Sequence, residues 1–475
     1  MRLRVSSSLL PFLVPNLDHY GRPLLKEPGM DIRQTINDTA MSRYQWFIVF
    51  IAVLLNALDG FDVLAMSFTA NAVTEEFGLS GSQLGVLLSS ALFGMTAGSL
   101  LFGPIGDRFG RKNALMIALL FNVVGLVLSA TAQSAGQLGV WRLITGIGIG
   151  GILACITVVI SEFSNNKNRG MAMSIYAAGY GIGASLGGFG AAQLIPTFGW
   201  RSVFAAGAIA TGIATIATFF FLPESVDWLS TRRPAGARDK INYIARRLGK
   251  VGTFELPGEQ SLSTKKAGLQ SYAVLVNKEN RGTSIKLWVA FGIVMFGFYF
   301  ANTWTPKLLV ETGMSEQQGI IGGLMLSMGG AFGSLLYGFL TTKFSSRNTL
   351  MTFMVLSGLT LILFISSTSV PSIAFASGVV VGMLINGCVA GLYTLSPQLY
   401  SAEVRTTGVG AAIGMGRVGA ISAPLLVGSL LDSGWSPTQL YVGVAVIVIA
   451  GATALIGMRT QAVAVEKQPE ALATK

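Results

Sequence analysis

Apolar residues fill this chain in runs of about 18 to 22, separated by short polar stretches, and each run is of bilayer-spanning length. The runs lie near residues 46–70, 83–103, 113–132, 138–161, 171–194, 201–222, 287–309, 318–341, 349–368, 372–396, 407–430 and 438–458. A hydrocarbon layer about 30 Å thick is crossed by roughly 20 helical residues, so the pattern predicts an all-α membrane protein of twelve transmembrane helices. Residues 223–286 break the pattern with Pro223, Pro234 and a basic cluster, which marks a linker between two six-helix bundles. The expected organisation is a segment 1–43, a first bundle 44–222, the linker 223–286, a second bundle 287–459 and a tail 460–475.

Composition agrees, with 51% hydrophobic and only 12% charged residues. A net charge of +11 raises the question of nucleic acid, but the positions of the charges answer it. Arg108, Arg111 and Lys112 follow the second run, Lys167 and Arg169 the fourth, and many more lie between Arg232 and Lys286. The alternate loops, around Glu75 and Glu76, from Thr131 to Gln137 and from Ser366 to Ser372, carry no Lys or Arg. By the positive-inside rule both termini and the linker are expected in the cytoplasm, and the basic excess reports topology in a bilayer rather than a nucleic-acid partner. Residues 1–29 lack the sustained apolar stretch of a signal peptide, and Met30 is a candidate native start.

Within the first run stand two carboxylates, Asp59 and Asp62, in Leu58-Asp59-Gly60-Phe61-Asp62. An ionised side chain at the bilayer centre costs at least about 2.5 kcal/mol, so such residues are functional candidates by default. Spaced three apart they share a helix face, where two like charges in a dry site are hard to keep ionised together. Proton-coupled transport is the first reading of this pair, and an enzyme is not expected. His19 is the chain's single histidine, the two cysteines, Cys155 and Cys388, lie inside apolar runs without metal spacing, and no glycine loop precedes a Lys as a nucleotide site would need. No catalytic residue, metal or cofactor is therefore expected.

The halves repeat faintly. Gly103 to Lys112 (GPIGDRFGRK) is echoed by Gly338 to Arg347, and Glu162 followed by Arg169 is echoed by Gln398 followed by Arg405, each at an offset of about 235 residues. At that offset Asp59 and Asp62 fall near Val294 and Gly297, Arg142 near Ser377 and Arg417 near Ile182. The shared scaffold is thus built without these charges, and they belong to what one half does specially.

The run Gly103 to Lys112, together with Arg142-Leu-Ile-Thr-Gly146-Ile-Gly148 and Pro223-Glu224-Ser225, resembles the signature of the major facilitator superfamily over residues 44–459. The resemblance implies a cytoplasmic gate in which Asp107 neutralises a helix end and Arg108 and Arg111 form ion pairs that latch the halves, with Glu162 and Arg169 in the same gate. The alternative is that these charges only set topology. Asp59-Gly60-Phe61-Asp62 is similar to the D-G-x-D motif of the aromatic acid:proton symporters, carriers of benzoate and hydroxybenzoate, as are Ser42 to Trp46, Trp304-Thr305-Pro306 and Gly414 to Ala420. In that family both aspartates are implicated in transport, a role carried here onto Asp59 and Asp62.

For an aromatic anion, Arg417 in the middle of the eleventh run is the candidate carboxylate holder, since a guanidinium grips a carboxylate through two parallel hydrogen bonds. The alternative is a permanent pair with an acidic side chain or a helix end. Arg142 is expected either to stabilise the ionised form of Asp59 or Asp62, released on proton uptake, or to snorkel to the outer interface. Among Tyr176, Tyr180, Asn302, Trp304, Asn386 and Tyr393, Asn302 and Tyr176 are the favoured further substrate contacts. The glycines Gly170, Gly179, Gly183, Gly187 and Gly188 nearly match the pattern of proton-antiporting drug exporters, but Ala184 stands where those carry proline, which favours import. The expectation is a monomeric proton symporter for a small aromatic carboxylate in a bacterial inner membrane. A carrier of muconate or a sugar acid, a drug exporter and a non-transporting sensor are the alternatives.

Overall fold

Serine followed three residues later by glutamine starts five of the membrane helices, and in four of them the bonding is reciprocal. In each of Ser42/Gln45, Ser80/Gln83, Ser315/Gln318 and Ser436/Gln439 the two side chains bond reciprocally to the other residue's backbone N–H, which satisfies donors that a helix end leaves free. The computed structural model describes residues 32–249, 254, 275–277, 280–400 and 405–458. Residues 1–29 and the tail 460–475 lie outside the described residues.

The twelve predicted runs become long helices α1 (Arg43–Phe68), α2 (Gly81–Phe109), α3 (Arg111–Ala130), α4 (Ala135–Phe163), α5 (Arg169–Phe198), α6 (Arg201–Phe221), α7 (Arg281–Glu311), α8 (Glu316–Thr341), α9 (Ser346–Ser366), α10 (Pro371–Leu399), α11 (Arg405–Asp432) and α12 (Pro437–Ala452). Among the described residues eleven helices are long and apolar enough to cross a membrane. The exception is α5, which spans 30 residues but is diluted by glycine. Several helices outrun their apolar cores, α2 by a full turn at its end, because hydrogen bonding continues into the polar boundary. Short helices at Ile32–Asp38, Ala70–Phe77, Val226–Arg232 and Ala237–Arg247 fall where the hydropathy pattern gives only polar connections.

The repeat is visible in the packing. In the first half Gly94 and Gly98 of α2 lie against the carbonyls of Leu143 and Ile147 in α4, so that an added Cβ would come within 2.2 Å and 2.1 Å of them. In the second half Gly329 and Gly333 of α8 lie likewise against Val379 and Met383 of α10. The two glycine pairs stand at the same offset of about 235 residues that the sequence echoes show. Close backbone approach of this kind is the usual way helices associate in a bilayer, where burying apolar surface gives no advantage.

The bundles meet on the side opposite the basic loops, here termed the far side. Ser67 of α1 donates to the carbonyls of Asn302 (3.0 Å) and Thr303 (2.7 Å) in α7. Ser89 of α2 donates to the Ile421 carbonyl of α11 at 3.0 Å. All three acceptors sit about one turn before a proline within the helix, Asn302 and Thr303 before Pro306 and Ile421 before Pro424. Proline has no N–H to give and its ring pushes the preceding turn open, which frees carbonyls there for a partner in the other bundle. One turn further out, Asp432 at the end of α11 accepts from the N–H groups of Gly81 (2.6 Å) and Ser82 (2.8 Å), capping the positive end of α2 across the bundle boundary.

On the basic side, by contrast, no side-chain hydrogen bond or ion pair between described residues joins the two bundles. The halves are closed on the far side and apart on the basic side. Asp432→Asn should loosen the closure: labelling of a Ser89→Cys reporter by an impermeant maleimide from the far side is expected to rise several-fold, and no change would show that the cap contributes nothing.

A second clasp holds the far end of the first bundle. Arg201 donates to both Glu76 oxygens (2.9 Å and 2.6 Å) and to the Ala132 carbonyl (2.8 Å), while the Trp200 indole donates to Glu76 at 2.7 Å. Hydrogen bonds from Arg201 and then Trp200 hold the Glu76 carboxyl below its usual range. A depressed carboxyl stabilises the fold above its unfolded pKa of about 4.3, and that contribution disappears as pH falls through the lower folded value. Because the pair is partly exposed, the effect is under about 1 kcal/mol. Glu76→Gln is expected to lower the melting temperature slightly at pH 7 and to narrow the gap to wild type on acidification, measured by thermal unfolding in detergent.

Candidate functional site

Glycine in α5 sets the site's frame. An added Cβ at Gly179, Gly183 or Gly187 would strike Val53, Ala57 or Phe61 of α1. From the other side, one at Gly60 would lie 2.2 Å from the Tyr180 carbonyl. The glycine of Asp59-Gly60-Phe61-Asp62 is therefore the contact that brings α5 against the two aspartates. The glycines that resemble an exporter motif serve here as the seat for α1, and α5 runs through Ala184 without a break.

The two aspartates have different surroundings. Asp62 accepts from Arg142 Nη1 at 2.5 Å and from Asn122 Nδ2 at 3.0 Å, and Arg142 Nη2 also donates to the Asp62 carbonyl at 2.8 Å. The ion pair is buried, with side-chain exposure of 0% and 1%, and the guanidinium carbon lies 5.5 Å from the centre of the Phe204 ring. Arg142 thus turns inward to Asp62 and does not snorkel. Asp59 is equally buried, but among the described residues nothing donates to its carboxyl, and its Oδ2 is an orphan. Beside it the Tyr176 hydroxyl is also unpartnered, and Asp59 interacts electrostatically with Tyr176 and Tyr180.

Gly146 and Gly148 explain how Arg142 and Asn122 converge. The first packs on the Ala91 carbonyl of α2 and the second on the backbone of Ala118 and Asn122 in α3, which draws α3 and α4 together below the ion pair. Sequence alone does not single out Asn122; its signal is a lone amide in the apolar run Leu119-Leu120-Phe121-Asn122-Val123.

Between the bundles lies Arg417, thirteen residues into α11, seated where Gly416 packs near Met295 and Phe291 and Gly419 meets the Gly292 carbonyl of α7. Among the described residues its guanidinium makes no hydrogen bond and no ion pair, so the expected alternative of a permanent acidic partner is not what the structure contains. Its charge acts on Tyr180 of α5 and Tyr393 of α10. Tyr393 stands edge-on to Phe291 with ring centres 5.8 Å apart, and Phe298 edge-on to Tyr299 at 5.2 Å. Gly414 and Gly410, one and two turns nearer the basic side, open into free space.

Of the two favoured substrate contacts, neither is grouped with Arg417. The Asn302 amide donates to Phe298 of its own helix at 2.8 Å and its carbonyl is held by Ser67, so it belongs to the far-side seal. The Tyr176 hydroxyl lies with Asp59. Tyr180, not favoured from sequence, is the side chain that feels both Asp59 and Arg417.

The gate residues are engaged within the first bundle. Asp107 pairs with Arg111, and its carbonyl accepts from Arg232 at 3.1 Å. Arg108 lies over the ring of Phe109 at 5.1 Å. Glu224 accepts from the N–H of Lys112 (3.0 Å), and at Gly110, with φ of 102°, an added Cβ would collide with its carboxylate. The motifs around Gly110 and Glu224 are therefore one clasp. Glu162 gives its carbonyl to Arg33, and Arg169 donates to Asn37 at 3.2 Å, so both hold the short helix Ile32–Asp38 rather than each other. Among the described residues none of the five makes a hydrogen bond or ion pair to the second bundle.

Above the far-side seal a cavity of about 280 Å³ is lined by Trp304, Lys307, Glu311, Asp432 and Trp435 among others. Lys307 is already paired with Glu311 at 3.5 Å, and two carboxylates against one ammonium make it a poor place for an anion.

Two bundles of repeated packing around one intramembrane charge system define a secondary carrier, and the family comparison agrees. The chain belongs to the Major Facilitator Superfamily, whose model matches residues 46–334 and 287–474, and within it to the group of aromatic-acid transporters. It is 31% identical over 434 residues to the 4-hydroxybenzoate transporter PcaK of Acinetobacter baylyi, covering 90% of this chain and 94% of that protein. It is 31% identical over 441 residues to a gallate transporter of Pseudomonas putida, with 91% and 96% covered. The fold matches the inward-open xylose transporter XylE of Escherichia coli with a TM-score of 0.68 at 18% identity, over 87% of this chain and 96% of that one. These relatives are transporters, and this chain is a multi-pass membrane transporter of the same superfamily, not an enzyme.

Proposed function

We propose that this protein imports a small aromatic carboxylate of the benzoate or hydroxybenzoate class together with protons, by alternating access, in a bacterial inner membrane. The observation that carries the reading is Arg417: a guanidinium between the bundles, with no partner among the described residues and with aromatic rings around it. Holding such a charge in a membrane is expensive, and a carboxylate ligand would repay it through two charge-assisted bonds while its ring packs on Tyr and Phe. The names of the relatives, carriers of 4-hydroxybenzoate and gallate, favour the same chemistry. Asp59 and Asp62, with Arg142, form the proton-coupling group.

With the basic loops and both termini in the cytoplasm, the far side is periplasmic and the conformation is inward-open. The serine bonds at the proline kinks and the Asp432 cap close the periplasmic entrance, and the Asp107 to Arg111 clasp is poised to meet the second bundle when the halves rock. One chain supplies both bundles and every charge in the scheme, so a monomer suffices.

Drug export is disfavoured because the glycines of α5 are occupied by α1 and no proline follows Gly183. Uptake of labelled benzoate, 4-hydroxybenzoate, protocatechuate and muconate by cells expressing the chain, with and without an uncoupler, tests the reading. Aromatic acids are expected to enter and the uncoupler to stop their accumulation. Preference for muconate would move the substrate class to open-chain acids.

A further inference from the structure

The aspartate pair is not symmetric, and the asymmetry assigns different work to its two members. Both Asp62 oxygens have donors, Arg142 on one and Asn122 on the other, and a second Arg142 nitrogen fixes the Asp62 carbonyl. A buried charge held in this way is balanced, and removing one partner leaves the other charge buried and uncompensated. Asp59, 2% exposed, has neither a donor nor a counter-ion among the described residues, and an orphan hydroxyl, Tyr176, lies beside it. In a low-dielectric site a carboxyl without partners persists in its neutral form, because the buried charge would have nothing to replace the water it loses.

We propose that Asp59 is the group that binds the transported proton, that Asp62 stays ionised as the fixed counter-ion of Arg142, and that Asn122 is the positioning residue that holds Asp62 to that task. The proposal rests on the symport reading above. The groups facing Asp59 can be named helix by helix. Asp62 is on its own helix, Arg142 on α4 is engaged by Asp62, and Tyr176 and Tyr180 come from α5. Between Ser202 and Phe221 α6 has no ionisable side chain, and on α7 Tyr299 interacts with Tyr180.

The step itself is a protonation. With the far side open, the Asp59 carboxylate takes a proton from water and becomes neutral. After rocking it gives that proton to water on the basic side, and no other bond changes. Tyr180 links this step to the substrate, because its backbone is pinned on Gly60 and its hydroxyl feels both Asp59 and Arg417. While an anion covers Arg417 the two charges cancel. Once the anion leaves, the bare guanidinium again acts on Tyr180 beside Asp59, and the proton leaves Asp59 for water on the basic side.

Proteoliposomes with labelled 4-hydroxybenzoate separate the roles through two readings: accumulation driven by an imposed pH gradient, and counterflow, which needs no net proton movement. Asp59→Asn is expected to lose accumulation at least tenfold while counterflow continues at a reduced rate. Asp62→Asn is expected to lose both, since it leaves Arg142 buried and unpaired, and the double variant Asp62→Asn/Arg142→Gln is expected to recover both in part. Asn122→Leu is expected to retain accumulation at neutral pH but to lose counterflow on acidification, where wild type does not, because Asp62 then keeps only its bonds to Arg142 among the described residues.

Gradient-driven accumulation in Asp59→Asn would overturn the assignment, as would loss of both activities in that variant. Counterflow without accumulation in the double variant would move the proton site to Asp62, and an unaltered pH profile in Asn122→Leu would remove the role given to Asn122. If wild type itself exchanges substrate but never responds to a pH gradient, the symport reading fails first and the assignment falls with it.

Discussion

Arg417→Gln should reduce uptake of aromatic carboxylates by at least tenfold and as much as a hundredfold, with normal amounts of protein in the membrane. A hydrogen bond to a charged group is worth about 1.5 to 3 kcal/mol, and glutamine removes the charge together with the two-pronged geometry. Because Arg417 has no partner among the described residues, the substitution leaves no buried carboxylate behind, so the fold should not suffer. Arg417→Lys is the informative companion. It keeps the charge as a single point and loses the planar fork, so uptake should fall to an intermediate level with most of the loss in KM. Initial rates over a range of 4-hydroxybenzoate concentrations would check both, and equal uptake by wild type and Arg417→Gln would place the anion elsewhere.

The second large effect is expected at Gly60. An added methyl there would lie 2.2 Å from the Tyr180 carbonyl, and since the obstacle is backbone, the helices must move apart by about 1 Å. Overpacking of this kind costs about 1 to 3 kcal/mol, and here it also separates Asp59 from Tyr180. Gly60→Ala should lower transport at least tenfold and reduce thermal stability. Gly190→Ala in α5 is the control, since an added Cβ there meets nothing within 4 Å. Alanine is favoured over glycine in a helix by up to about 1 kcal/mol, so that variant should be as stable as wild type or slightly more so, with uptake intact.

These expectations draw on features that the sequence displays to different degrees. Twelve apolar runs, the basic loops and the aspartate pair are visible because a bilayer punishes polar side chains so heavily that any exception stands out. The repeat is visible in its glycines for a related reason, since close helix approach leaves few residue choices. The partner of Arg142 is less legible. Spacing puts Asp59 and Asp62 on one face of α1, but they differ by about 60° around the axis, and the rotation that turns Asp62 to α4 is fixed by Gly60 against α5.

Asn122, Ser67 and Ser89 are harder still, because single amides and hydroxyls in apolar helices usually bond within their own helix. What distinguishes the serines is a proline turn in the opposite bundle, hundreds of residues away. Asp432 reaches the start of α2 across the whole chain, and the fold alone reveals it. Residue type favours Asn302 and Tyr176 as substrate contacts, but type does not say that one side chain is bonded to its own helix and the other turned to Asp59.

Proton-driven accumulation in purified proteoliposomes tests the central claim most directly. Vesicles containing the protein are diluted into acidic buffer with labelled 4-hydroxybenzoate, so that protons run inward. The account predicts accumulation above the outside concentration, in excess of the passive distribution of the acid in protein-free vesicles, abolished by a protonophore and absent in the Asp59→Asn variant. Uptake that only equilibrates, at the same level with or without the pH gradient, would contradict it.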